Sequence, residues 1–300
     1  MSKNVNIKIL SSFVGLWLTS FLTGEFEILL GFFLIFTFGI LHGSNDILLI
    51  TKVKGETSKF SFPKILTVYI ITVLLAVALF IYTPMLGLLL FIIFSAFHFG
   101  EQHWMNQNIQ AVEIIKKTYF FIYGGFILML LFVFNKKEVI EIVKAIADYN
   151  LDETIITYTF SFVALCFAIF TLILTLNSKR FRHNVLLELF YLLLFCIIFK
   201  VSTLIWGFTI YFIYWHSLPS LNDQIHFIYG ECNKKTIIRY CKNAVIYWAI
   251  SLIGIAGVYY IFKNENIFYA IFFSFIAAVT FPHSIVITKM FKQKKRNLYR

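Results

Sequence analysis

Charge is scarce in this chain. Only 14% of its 300 residues are Asp, Glu, Lys or Arg, and 60% are hydrophobic. A soluble domain of this size needs more charge than that to cover its surface, so a soluble globular fold is excluded. Acidic residues are the scarcer sign, 15 against 26 basic ones. The resulting +11 does not indicate nucleic acid, because the basic residues fall in short loops and at the C-terminal end. Cysteine is limited to 4 residues with no C-x-x-C pair, so no disulfide framework is present. There is no phosphate-binding loop, no dinucleotide fingerprint and no Ser-His-Asp set. Short alternating segments of the kind that build a membrane β-barrel are also missing.

What the chain has instead is apolar runs of roughly 18 residues or more, recurring along its length. With a mean hydropathy of +0.82 and 19% aromatic residues, they predict an all-α, polytopic membrane bundle of about ten transmembrane helices, one integral membrane domain over residues 1–300. Spans are expected over about Ile9–Leu22, Ile28–Ile50, Ile65–Tyr82, Met85–His103 and Tyr119–Phe134. Five more follow over about Thr154–Leu176, Val185–Phe199, Thr203–Pro219, Ala244–Phe262 and Ile267–Ile287. The first resembles a signal peptide but lacks a small-residue cleavage site, so it reads as retained. Lys136 to Glu153 reads as a surface helix, with Val139, Ile142, Val143 and Ile146 at helical spacing. Pro219 is expected to end its helix.

The loops orient the bundle. With the N-terminus in the cytoplasm, the inner side receives Lys3, Lys8, Lys52, Lys54, Lys59, Lys64, Lys116 and Lys117. It also receives Lys179, Arg180, Arg182, the Lys234 to Lys242 group and the tail from Lys289. The outer side keeps Lys136, Lys137, Lys144, Lys200 and Lys263, diluted by Glu25, Glu27, Glu138, Glu141, Asp148, Asp152, Glu153 and Glu265. This is a positive-inside pattern with both termini cytoplasmic.

Four histidines interrupt the apolar runs: His42, His98, His216 and His283. An ionisable group at membrane depth is costly and marks a site, usually facing the bundle interior. All four fall late in spans that run from outside to inside, so they share direction and approximate depth. Neutral imidazole is the commonest metal ligand, and ligands supplied one per helix build metal sites in bundles. The expectation is one metal held by these four. The second ring nitrogens need partners. Asp46, four residues after His42, and Glu101, three after His98, lie on the matching helical faces, and Ser217 and Ser284 directly follow His216 and His283. His103, His183 and His226 read as exposed or interfacial. Phe97, Phe99, Trp104, Tyr211, Tyr214, Trp215 and Phe281 cluster around the four histidines in sequence, as the walls of an apolar cleft or as core packing. Two other classes remain open: a haem-binding electron-transfer protein with paired histidines, and a transporter or scaffold whose histidines are structural or carry protons.

The ordered set His42-Gly43-x-x-Asp46, His98-Phe99-Gly100-Glu101, Trp215-His216-Ser217 and Pro282-His283 resembles the Brp/Blh family. These are β-carotene 15,15'-dioxygenases of bacterial and archaeal cell membranes. The resemblance implies a multi-pass membrane enzyme with Fe(2+), which uses O2 to cleave the central double bond of β-carotene into two all-trans-retinal. It also implies a membrane-lipid setting and a rhodopsin as product acceptor, with no nucleic-acid partner. The chain is not itself an opsin, because no lysine lies in mid-span. One departure stands out: the family's W-H-x-x-x-H has Ser220 at its last position here.

Overall fold

The structure is a computed structural model that describes residues 3–54, 62–107, 109–262 and 265–298. Lys59, Lys263 and Arg300, which entered the charge count, lie outside the described residues. The helices are α1 (Lys3–Thr19), α2 (Gly24–Leu34), α3 (Ile40–Gly43), α4 (Asp46–Lys54), α5 (Phe62–Tyr82), α6 (Pro84–Trp104) and α7 (Glu113–Phe134). They continue as α8 (Lys136–Ala147), α9 (Glu153–Asn177), α10 (Lys179–Val201), α11 (Leu204–Tyr211), α12 (Leu218–Tyr229), α13 (Lys234–Phe262) and α14 (Glu265–Leu298). Two π-helical stretches, Ile35–Gly39 and Phe212–Ser217, interrupt this α-helical series.

Among the described residues, seven helical stretches are long and apolar enough to cross a membrane. They are Gly24–Val53, Pro63–Tyr82, Pro84–Gln107, Glu113–Phe134, Glu153–Asn177, Lys179–Val201 and Phe272–Asn297. The all-α membrane bundle is therefore as expected, and the helices over the other three anticipated spans are not among these seven. α1 has 17 residues, at the short end for a crossing. The stretch through Phe212–Ser217 is diluted by Tyr214, Trp215, His216 and Pro219. α13 is helical but is not among the seven.

The chain divides into two compact units. The first holds Met1–Ile35, Ser95–Glu141 and Asn150–Leu218. Within it α6 and α7 touch backbone to backbone. A Cβ on Gly100 would lie 1.8 Å from the Phe120 carbonyl oxygen, and one on Gly124 would lie 1.9 Å from that of Ala96. Glycine is thus required at both positions, in the way small residues let membrane helices approach closely. The N-terminus of α11 is anchored by three acceptors. Glu27 accepts from Thr203 N–H at 2.9 Å, Glu138 from Leu204 N–H at 3.0 Å, and the Thr203 hydroxyl from Trp206 N–H at 3.3 Å. These satisfy orphan amide donors and place negative charge at the positive end of the helix. Burial raises the Glu138 carboxyl above its usual range, the Leu204 amide opposes this, and neighbouring Glu141 and Glu27 add to it.

The second unit holds Phe36–Phe94, Ile142–Tyr149 and Pro219–Arg300. α5 packs along α14 through a core of Ala76, Phe80, Ala277, Ala278 and Phe281, joined by Leu88 of α6. A smaller cluster joins Leu221, Ile225 and Tyr240, which links α12 to α13. Pro219 does not end its helix. It sits second in α12, directly after the π-helical Phe212–Ser217. The wider π register relieves the clash that a proline ring makes with the carbonyl four residues back, so the helix runs on to Tyr229.

Candidate metal centre

His42 owes its position to a double interruption of one long apolar run. The π-helical Ile35–Gly39 leads into the single turn of α3, and Ser44 and Asn45 then break the helix before α4 starts at Asp46. The Ser44 hydroxyl donates back to the Ile40 carbonyl at 2.8 Å, and Asn45 Nδ2 donates to the Tyr240 carbonyl at 3.0 Å. The break has a consequence for Asp46. On a continuous helix it would stand beside His42, as expected from the sequence. Opening a new helix instead, it turns to α14 and accepts from His283 Nδ1 at 2.7 Å and from the Tyr69 hydroxyl at 2.9 Å. The ring nitrogen Nδ1 of His42 faces the carbonyl of Gly39. Asp46 is therefore the partner of His283, not of His42.

In this second unit the His42 and His283 rings meet edge to face with centroids 4.7 Å apart. Both rings are buried. With Nδ1 of His283 donating to a carboxylate, the lone pair of the neutral ring lies on Nε2, the tautomer that ligates metals. The same unit shows what became of Ser220. It is fully buried, and its hydroxyl accepts from Gln224 Nε2 at 3.1 Å. Gln224 Nε2 also donates to the carbonyl of His42 at 2.9 Å, and the Tyr240 hydroxyl donates to Gln224 Oε1 at 2.7 Å. A serine at this position is one member of a hydrogen-bonded brace under the His42 turn.

In the first unit His98, on α6, meets His216, on the π-helical Phe212–Ser217, with centroids 4.6 Å apart at 74°. Each is only 1% exposed. Phe212 stacks on His216 at 5.4 Å, and Phe99 lies 4.7 Å from it. Phe99 in turn packs on Tyr211. Trp215 points elsewhere, packing on Tyr191 and Phe195 and donating to the Ser12 hydroxyl at 2.8 Å. Both π-helical segments thus adjoin a histidine of interest, a common place for such bulges.

The remaining expectations divide. His183 and His226 are exposed, as expected. His103 is not. Its side chain is only 7% exposed and meets Glu188 at 2.8 Å, beside Gln107 and Tyr123. Glu188 had a signal in the sequence, a carboxylate in the middle of an apolar run. Tyr69, Gln224 and Tyr240 had none. Ser284 donates to the Phe281 carbonyl at 3.0 Å rather than to a ring nitrogen, and Ser217 Oγ has no hydrogen-bond partner among the described residues. Glu101 is buried one turn after His98.

Does this donor set fit a metal? Two imidazoles on one ion, with metal–nitrogen bonds of about 2 Å, hold their ring centres roughly 4.5–5 Å apart. Both histidine pairs meet that spacing. Axial ligands on opposite faces of a haem would hold them roughly 6 Å apart with the porphyrin between. Neither pair leaves that gap between its own two rings.

An all-helical membrane protein with buried imidazoles in facing pairs is the class that fold and site define. A family model described as beta-carotene 15,15'-dioxygenase matches residues 33–291, which include all four histidines. The chain belongs to that family, and its family-level activity is of the carotene dioxygenase type. No curated protein and no solved structure matches it.

Proposed function

We propose that the chain is a non-haem iron dioxygenase of the bacterial or archaeal cell membrane that cleaves β-carotene at its central 15,15' double bond. The observation that carries this reading is the family match over residues 33–291. The paired, buried histidines support it independently. In this reading His42, His98, His216 and His283, the four histidines that interrupt the apolar runs, together hold the ion. Asp46 fixes the ring of His283, and Glu101 serves as the second carboxylate beside His98. Neutral imidazoles suit Fe(2+) as well as zinc, and a reaction with O2 requires the redox-active metal of the two. When bound, ferrous iron supplies the redox chemistry by which one atom of O2 ends on each carbon of the cleaved bond.

The balance is simple. β-Carotene and O2 give two molecules of all-trans-retinal, each half leaving with one oxygen as an aldehyde, and no water or proton is consumed. The chain's part is to hold and to shield. Phe99 and Phe212 present flat apolar faces beside His216, suited to a polyene drawn from membrane lipid. All four rings are buried, which shields the site from bulk water. The retinal product suits a neighbouring rhodopsin as acceptor. Expression in a β-carotene-accumulating bacterium tests the reaction: the colour bleaches and retinal appears in extracts. Persistent colour without retinal, in cells shown to contain the protein in the membrane, contradicts it.

A further inference from the structure

The second unit contains a cavity of about 360 Å³ between α4, α5 and α14 that the proposed reaction does not use. Its walls are almost wholly carbon: Ile50 and Val53 of α4, Ile65 and Val68 of α5, and Pro282, Ile285 and Val286 of α14. Two lysines, Lys64 and Lys289, line it as well, and both are exposed. Val68 is 58% and Ile285 45% exposed, so the cavity opens sideways onto the surface. On α5 that surface continues as Ile71, Leu74 and Leu75, each at least half exposed, which is a lipid-facing stripe. The charge bias assigns both lysines to the cytoplasmic end of their helices. Lys64 and Thr72 are eight residues apart on α5, so the lining extends about 12 Å along the helix axis.

We propose that this cavity binds an anionic amphiphile from the cytoplasmic leaflet, its acidic head between Lys64 and Lys289 and its hydrocarbon chain along α5 and α14. Carbon walls that open to the bilayer take the chain, and basic pockets between membrane helices on the cytoplasmic side take acidic heads. A phospholipid phosphate and a fatty carboxylate share this chemistry. The inference stands apart from the dioxygenase reading, although the two places are close in bonding. Tyr69 lines the cavity and donates to Asp46, which accepts from His283.

The test uses the full chain in phosphatidylcholine nanodiscs with a trace of lipid carrying a diazirine in its acyl chain. Three probes are compared: phosphatidic acid, a free fatty acid and phosphatidylcholine. Labelling by an acidic probe is expected at cavity residues such as Val68, Ile285 and Val286, well above that by phosphatidylcholine. K64Q and K289Q should each lower it roughly fivefold. V68W, which fills the mouth and leaves both lysines in place, should abolish it while helical content and melting stay as in the parent. Stronger labelling by phosphatidic acid than by the fatty acid identifies a phosphate head, and the reverse a carboxylate. Equal labelling by phosphatidylcholine, or labelling unchanged in the K64Q/K289Q double variant, overturns the proposal.

Discussion

Tyr69, Asp46 and His283 form a line of hydrogen bonds in which the carboxylate is the shared acceptor. Such outer partners set the tautomer and aim of a ligating imidazole, and their loss typically lowers metal affinity about 10–100-fold. Asp46→Asn keeps the shape and removes the charge, so its iron affinity in chelator competition should fall within that range. Tyr69→Phe should fall less, since Asp46 retains His283. Ser220 makes the opposite case. Its hydroxyl accepts from Gln224, so Ser220→Ala should lower stability by about 1 kcal/mol. Bound metal should be unchanged, and a loss of metal would make Ser220 part of the ligand sphere. The sequence named His42, His98, His216 and His283 because each puts an ionisable group in an apolar run. It misassigned the partner of Asp46, because i to i+4 reasoning presumes an unbroken helix. Tyr69 stayed invisible, since a tyrosine in a membrane helix carries no signal of its own.

At the level of the element, two features govern where the histidines go: the π-helical stretches and the α6–α7 crossing. Hydropathy cannot reveal a π register, because the residues stay apolar while the face they present shifts. That is why Pro219 reads as a helix end and proves to be inside a helix. The crossing is legible only in part. Gly100 stands out in the sequence within His98-Phe99-Gly100-Glu101, yet its reason is the Phe120 carbonyl 1.8 Å from where a Cβ would lie. Backbone cannot yield as a flexible side chain does. Gly100→Ala should therefore cost roughly 1–3 kcal/mol or more, seen as a lower midpoint in denaturant unfolding of the detergent-solubilised protein. Because His98 lies two residues earlier on the same helix, cleavage activity should fall as well. A variant as stable as the parent would mean that the helices separate at little cost.

At the scale of the whole molecule, the membrane class was the most legible property, since charge scarcity and long apolar runs leave few alternatives. The span count was less so. Aromatic and polar residues that build the His216 segment also lower its hydropathy, so function erodes the signal by which a span is recognised. The His103–Glu188 pair shows the same conflict, a histidine bonded to a carboxylate within helices long enough to cross a membrane. The proposed function requires that all four histidines serve one iron ion. Metal content of the purified full-length protein, with His98→Ala and His283→Ala beside it, tests this directly. The prediction is one iron per chain, lost nearly completely in either variant although each leaves the other pair whole. Two ions per chain falling to one in each variant, or a metal content unaffected by either, would contradict it.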